Sequence, residues 1–159
     1  MATDAKIQDI ALDYIRKHVI GGDSTWHSTT IGVLHPALAR RVELEGVELV
    51  LVSAFFSEDS WYAFTSRRII SQLNGAAYSI DPSHGIRGDF GNFKGDGKLP
   101  REVATLKATD TEDVVRFEFE TGAASMLPIY AERYWNVKHP AIDKLMTTAE
   151  RKHYRAQKG

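Results

Sequence analysis

The sequence contains no cysteine, which excludes a disulfide framework, a thiolate nucleophile and any zinc or iron–sulfur site held by cysteine. It also lacks an apolar run near the roughly 20 residues that a membrane-spanning helix requires. The first residues do not show the basic segment, apolar run and small-residue cleavage site of a secretory signal. We therefore expect a cytoplasmic protein that is stabilised by packing alone.

An excess of charge of one sign is also missing, since 20 Lys and Arg oppose 21 Asp and Glu for a net charge of −1. This balance does not favour nucleic acid as a partner. The distribution is uneven, because residues 138–159 hold two carboxylates and six basic residues: Lys138, Lys144, Arg151, Lys152, Arg155 and Lys158. Weak contact of this tail with an anionic membrane is one prediction. A favourable interaction with the dipole of a C-terminal helix is the simpler explanation.

The composition is that of one folded domain. Of the 159 residues, 43% are hydrophobic and 26% are charged, which is ordinary for a globular protein and excludes wholesale disorder. A domain of this length buries roughly two-thirds of its unfolded surface. A single hydrophobic core is therefore expected.

Helical periodicity is clearest near the N-terminus, where apolar residues from Ile7 to Ile15 recur on one face. Asp4 is placed to cap this helix, and Gly21-Gly22 is placed to end it. Weaker patterns predict a short helix from Pro36 to Glu45, a helix from about Leu127 to Val137, and a further helical segment beyond Pro140 toward Arg155.

The middle of the sequence consists of short segments rich in β-branched and aromatic residues, separated by turn residues. This order predicts an antiparallel sheet that folds over on itself. Asn74-Gly75 favours a type I′ hairpin that sets Leu73 opposite Ala76. The predicted strands are Val47–Phe56, Trp61–Thr65, Arg68–Leu73, Ala76–Ile80, Ile86–Phe93, Val103–Thr109 and Val114–Thr121.

The segment Trp61–Ile70 resembles the threonine, two variable residues, arginine and aliphatic pair of bacterial pleckstrin-homology-like (PH-like) and GRAM-like domains, with Thr65, Arg68 and Ile69 at the matching positions. The resemblance covers about residues 46–140. It implies an α+β fold, a seven-stranded antiparallel PH-like barrel or sandwich with a C-terminal capping helix. Residues 1–45 would form an N-terminal helical extension to a PH-like domain at 46–159, within one compact domain.

The same resemblance implies a binding or assembly module without catalytic residues. Members that bind phosphoinositides concentrate Lys and Arg in the first hairpin loop. Here that loop carries Glu58 and Asp59, which would repel a phosphorylated headgroup. Phosphoinositide binding is therefore not expected at this place, and a protein partner or self-association fits better.

The loop from Gly85 to Lys98 is the first candidate site, because functional groups collect on flexible backbone. Its glycines are explained equally well by turns and bulges. The candidate residues for binding a ligand or partner here are His84, Arg87, Asp89 and Lys98.

Arg67 and Arg68 are further candidates, because adjacent residues of a strand point to opposite faces. One of them can pair with a carboxylate near the sheet while the other meets a ligand, although structural ion pairing is the simpler reading. The six histidines show no HExxH pattern. We therefore predict no metal, no cofactor and no catalytic residue.

Together these observations predict a non-enzymatic cytoplasmic module that binds a protein partner, with homo-oligomer formation as an open option. A narrower alternative is a small bacterial immunity or antitoxin protein that blocks a toxin, although no residue selects it. The alternative from another class is a small enzyme or ligand-binding protein with its site in the Gly85–Lys98 loop. An exposed apolar patch would favour the interaction module.

Overall fold

A computed structural model describes residues 2–19 and 26–158 of the chain. The fold is α+β. The helices are α1 Asp4–His18, α2 Met126–Arg133 and α3 Thr148–Lys158. The strands are β1 Thr29–Ile31, β2 Val50–Ser57, β3 Ser60–Thr65, β4 Ile69–Leu73, β5 Ala76–Ile80, β6 Ile86–Asp89, β7 Arg101–Ala108 and β8 Val114–Glu120.

The eight strands of residues 2–19 and 26–158 form two antiparallel sheets, one in the order β1-β2-β3-β4-β5 and one in the order β6-β7-β8. The prediction of seven strands is therefore wrong by one. The described strands also do not close into a barrel, since no pairing joins the two sheets. The sheets instead pack face to face, with β8 against β3, β4 and β5.

The strand that sequence reasoning missed is β1, which pairs with β2 along only three residues. Its position depends on the Glu120 carboxylate at the end of β8. That carboxylate accepts the backbone N–H groups of His27 at 2.9 Å and Ser28 at 2.6 Å, and the Thr29 hydroxyl at 2.5 Å. The segment is short and polar and is fixed by a residue far along the chain, so its own sequence does not show the alternation typical of a strand.

The β4–β5 hairpin is confirmed in its register, with Leu73 opposite Ala76. Asn74 and Gly75 have φ angles of 51° and 82°, the positive values that a type I′ turn requires at both central residues. Local turn chemistry was therefore sufficient to set this part of the sheet.

The core lies between the two sheets and beneath α1 and α2, which both contribute buried side chains. The rings of Tyr62, Phe64 and Phe117 are fully buried and contact one another in tilted and edge-on arrangements. Such pairs contribute about 0.5–1.5 kcal/mol beyond their area burial. The Ser71 hydroxyl donates to the Arg116 carbonyl at 2.6 Å, so a hydrogen bond also links β4 to β8.

The outer face of the five-stranded sheet is covered by residues 34–44. The helix predicted from Pro36 to Glu45 is wrong in extent, because only a 3-10 turn at Pro36–Leu38 forms. Residues 39–44 do not continue the helix and pack against the sheet. Its Leu38 and Val42 form a second apolar cluster with Trp61, Ala63 and Ile70.

Three strand ends differ from the prediction by more than one residue. β2 begins at Val50, three residues late, because the chain first turns with the Glu48 N–H donating to the Glu45 carbonyl at 3.0 Å. β6 ends at Asp89 instead of Phe93, since the Asp89 carboxylate accepts the N–H two residues on and bends the chain. β7 begins two residues early.

The helix predicted from Leu127 to Val137 exists but changes form along its length. α2 gives way to a π turn at Tyr134–Lys138 and then to a 3-10 segment at His139–Lys144. Pro140 lacks the N–H that a continuing α-helix needs. Asn136 lies in this π turn and accepts a hydrogen bond from Ile86 of β6.

α1 forms over the predicted residues, although the Thr3 hydroxyl is its cap and accepts the Lys6 N–H at 3.1 Å. Asp4, the predicted cap, lies in its first turn. The predicted stop at Gly21-Gly22 lies outside the described residues. Within the described ranges, no helix has the length and hydrophobicity needed to cross a bilayer.

Candidate functional site

Arg67 and Arg68 lie in the turn between β3 and β4, and both form ion pairs. Arg67 donates from Nε and Nη2 to the two carboxylate oxygens of Asp4 at 2.9 and 3.1 Å. Arg68 donates from Nε and Nη2 to the two oxygens of Glu48 at 2.9 and 3.1 Å, and Nη2 also reaches the Glu43 carbonyl at 2.8 Å. Both guanidinium groups are thus engaged within the fold.

The spacing of Thr65 and Arg68 has a structural explanation. The Thr65 hydroxyl oxygen accepts the N–H groups of Arg67 and Arg68 at 3.1 and 3.0 Å, and the hydroxyl donates to Glu48. Burial raises the pKa of the Glu48 carboxyl, but hydrogen bonds from Arg68 and Thr65 outweigh burial and hold the pKa below its ordinary value. Thr65, Glu48 and Arg68 therefore build the β3–β4 turn.

The remaining four candidates do not converge on one point. His84 is exposed and holds its Nδ1 3.2 Å from the carboxylate of Asp110. Lys98 is exposed at the end of the glycine-rich loop. Arg87 and Asp89 lie on the same face of β6 because strand side chains alternate. Of these four residues, Asp89 borders a groove between β6 and α2.

This groove, the β6–α2 groove, runs between α2 and the segment formed by β6 and its following loop. Its volume is about 570 Å³. Asp89 and Arg133 bring one charge of each sign to its border. The apolar walls come from Phe90, Phe93, Met126, Ile129 and Tyr130. A mostly apolar concavity with few polar groups is the usual form of a binding site.

One side of the groove is a free sheet edge, because β6 is the outer strand of its sheet. The Thr109 N–H donates to the Gly85 carbonyl at 3.1 Å, and these residues lie opposite each other when the β6–β7 register is extended by one step. Peptide groups of alternate residues face the neighbouring strand in an antiparallel pair. The N–H and C=O groups of Ile86 and Gly88 consequently face away from β7.

The outward groups of Ile86 are already bonded to a side chain. The Asn136 side-chain carbonyl accepts the Ile86 N–H at 2.9 Å, and its amide donates to the Ile86 carbonyl at 2.8 Å. The same amide donates to Glu132 at 2.6 Å, and burial raises the pKa of that carboxyl. Asn136 thus replaces one residue of a neighbouring strand, and no described side chain does the same for Gly88.

Gly88 also lets the side chains of Leu106 and Phe90 pack close to the backbone of β6. A Cβ atom there would lie 2.9 Å from the side chain of Leu106 and 3.0 Å from that of Phe90, closer than packed atoms tolerate. The ends of these two side chains would have to shift to accept a Cβ, so the position favours glycine, and its peptide group borders the groove.

A second cleft, of about 650 Å³, lies where the start of α1 meets the β3–β4 turn and the π turn. Asp4 and Arg67 line it but pair with each other. His139 also lines it, shares a hydrogen bond of 3.0 Å with the Tyr134 hydroxyl and has a pKa lowered by burial. Because its polar groups bond mainly to one another, this cleft is the weaker candidate.

Within the described residues, no group of three or more His, Asp or Glu is placed to hold a metal ion. Sequence reasoning missed the α2 side of the groove. Met126 and Ile129, three residues apart, formed a second apolar stripe that pointed to it, whereas the role of Asn136 depends on tertiary position. No protein-family model, curated protein or solved structure matches this chain.

Proposed function

We propose that the protein is a non-enzymatic binding module that captures an extended apolar segment of a partner protein along β6. The outward peptide group of Gly88 carries this proposal, because it opens on the β6–α2 groove. A segment laid beside β6 would satisfy its N–H and C=O with main-chain hydrogen bonds, as in strand addition. Alternate side chains of the segment would then enter the apolar groove.

The length of the captured segment follows from Asn136. Since Asn136 already bonds both outward groups of Ile86, pairing would begin at Gly88 and continue into the loop beyond Asp89. The segment is therefore short, and the side chains of Ile129 and Phe93 contribute much of its recognition.

We further propose that β2–β8 and α2 form a PH-like domain. Four consecutive antiparallel strands make up most of one sheet, three make up the other, and a helix follows the last strand. β1 then extends the first sheet, and α1 joins the common core. The proposal requires β5 and β6 to belong to separate sheets, so hydrogen-bond couplings between them in NMR spectra would contradict it.

The binding proposal is tested with a linear peptide selected from a phage-displayed library panned against the full chain. Hydrogen exchange of the free and peptide-bound protein is then followed by NMR. We expect the Gly88 amide to exchange at least tenfold more slowly when the peptide binds. The Ile86 amide, already bonded to Asn136, should change little.

A matched pair of variants locates the binding site. Ile129→Glu places a charge in the groove, whereas Val137→Glu places one on an exposed residue of the following turn. Peptide affinity should fall at least tenfold in the first variant and stay unchanged in the second. Failure to select any peptide, or a peptide that binds both variants equally, contradicts the proposal.

Self-association is distinguished in the same experiment by sedimentation equilibrium. A second copy of the chain would occupy the groove through its own exposed strand, and Ile129→Glu would then shift a dimer to monomer. A monomeric protein that binds the selected peptide supports a different protein as the partner.

A further inference from the structure

A second concave site, the basic cleft, lies between α1, the 3-10 segment at His139–Lys144 and α3. Its volume is about 430 Å³. Apolar side chains such as Ile10 and Leu145 form part of its lining. Four cationic side chains line it: Lys17, Lys138, Lys144 and Arg151.

The cleft holds a marked excess of positive charge. Among the described residues that line the cleft, Asp13 is the one carboxylate, which leaves an excess of three positive charges there, whereas the net charge of the whole chain is −1. Lys17 and Arg151 share one oxygen of that carboxylate, each at 2.9 Å. Lys138 and Lys144 have no carboxylate within 4 Å among the described residues.

Arg151 contributes an unused donor. Its Nη2 reaches Asp13, but its Nε is buried without a hydrogen-bond partner among the described residues. A buried donor on a charged group calls for an acceptor. Lys138 lies 5.4 Å from the ring centroid of Tyr14, a contact that holds the ammonium group at the cleft without neutralising it.

α3 is placed so that Arg151 reaches the cleft. The helix starts with a capping box, in which the Thr147 hydroxyl oxygen accepts the Glu150 N–H at 3.1 Å and Glu150 accepts the Thr147 N–H at 3.3 Å. Asp9 of α1 accepts the N–H of Thr148 at 2.8 Å and its hydroxyl at 2.6 Å. α3 has no buried residue, so polar contacts determine its position.

We propose that the basic cleft binds a phosphate group with at least two negative charges, carried by a small molecule or by a lipid headgroup. The planar guanidinium group of arginine and the ammonium group of lysine are the groups with which proteins bind phosphate. The apolar part of the lining lowers the local dielectric constant and strengthens this attraction.

The first experiment titrates inorganic pyrophosphate into the full chain at low salt, followed by calorimetry. Lys144→Glu reverses an exposed charge at the cleft, and Lys107→Glu reverses an exposed charge on β7 as a control. We expect pyrophosphate affinity to fall at least tenfold in Lys144→Glu and less than twofold in Lys107→Glu. Equal losses in both variants would indicate unspecific attraction and overturn the proposal.

The second experiment distinguishes the source of the phosphate. Flotation assays use phosphatidylcholine vesicles with and without phosphatidic acid, whose headgroup is a phosphate monoester. Binding to the acidic vesicles that Lys144→Glu abolishes assigns the site to a lipid, whereas binding of pyrophosphate alone assigns it to a soluble molecule. Absence of both overturns the proposal.

A third readout reports on the site directly. Because pyrophosphate in contact with the Arg151 guanidinium would tie α3 to the cleft, amide exchange across α3 should slow when pyrophosphate is present, and unchanged exchange counts against the proposal. Ile129→Glu, in the β6–α2 groove, should leave pyrophosphate affinity unchanged. The proposal for the β6–α2 groove and the proposal for the basic cleft can therefore be contradicted separately.

Discussion

The guanidinium group of Arg68 forms two hydrogen bonds to the carboxylate of Glu48, whose side chain is fully buried, while that of Arg68 is 26% exposed. The pair joins the turn before β2 to the turn before β4. Thr65 completes it by donating to the same carboxylate. The Thr65 and Arg68 motif, which resembles that of PH-like domains, thus connects two turns of the sheet.

Glu48→Gln should destabilise the fold by about 2 kcal/mol, because a fully buried position loses the negative charge and one of the two oxygens that accept hydrogen bonds from Arg68. Urea unfolding measures the loss. Glu45→Gln is the matched control, since Glu45 is exposed and lies 3.9 Å from Arg68; its effect should stay below about 0.5 kcal/mol. Equal effects would show that the pair contributes nothing specific.

Stability should decrease as the solution becomes acidic. Hydrogen bonding to Arg67 lowers the pKa of Asp4, and the pKa of Glu48 is also lowered. Each carboxylate contributes stability that is fully present above its unfolded pKa, about 4, and is lost as pH falls through the lower native pKa. Unfolding free energies measured from pH 7 down to about 3 should fall more steeply for the native sequence than for Glu48→Gln. Parallel curves would contradict this account.

Asn136→Ala should release both outward peptide groups of Ile86 at once. The expected cost is roughly 1–3 kcal/mol, because the buried N–H and carbonyl lose their partner. Amide exchange at Ile86 should accelerate, while Gln157→Ala, which removes an exposed amide on α3, should leave it unchanged. An unaltered Ile86 rate would mean that Asn136 does not protect the strand.

Thr147→Ala should loosen α3 without unfolding the rest of the chain. Loss of a capping hydroxyl costs about 1 kcal/mol, and α3 has no buried side chain to offset it. Amide exchange is expected to accelerate within α3 and to stay constant in β2 and β3. Thr111→Ala, in an exposed turn, is the control. A global fall in stability would show that α3 is tied more closely to the core.

Gly95→Ala and Gly97→Ala separate steric contact from backbone strain. Both positions have positive φ, 68° and 73°, so both variants carry a similar strain of about 1–2 kcal/mol. A Cβ at Gly95 would lie 2.5 Å from the hydroxyl of Thr121, whereas nothing lies within 4 Å at Gly97. Thermal unfolding should show the first variant to be the less stable by a further 1–3 kcal/mol or so. Equal melting temperatures would refute the contact.

Features fixed by neighbouring residues were predictable from the sequence. The Asn74-Gly75 hairpin and the apolar face of α1 depend on turn chemistry and periodicity within a few residues. Of the residues predicted in the candidate loop, Asp89 borders the β6–α2 groove, and the site itself stays a prediction. The outward direction of the Gly88 peptide group could not be predicted, because it depends on pairing with β7 and on the position of Asn136, and both come from distant parts of the chain.

Glu120 has a consequence for the order of folding. Its bonds to residues 27–29 span 91 to 93 positions, so β1 cannot be secured until β8 has been synthesised. Closing so long a loop delays its contacts. On the ribosome, the edge of β2 that pairs with β1 should therefore stay available to chaperones or to neighbouring nascent chains until β8 has emerged.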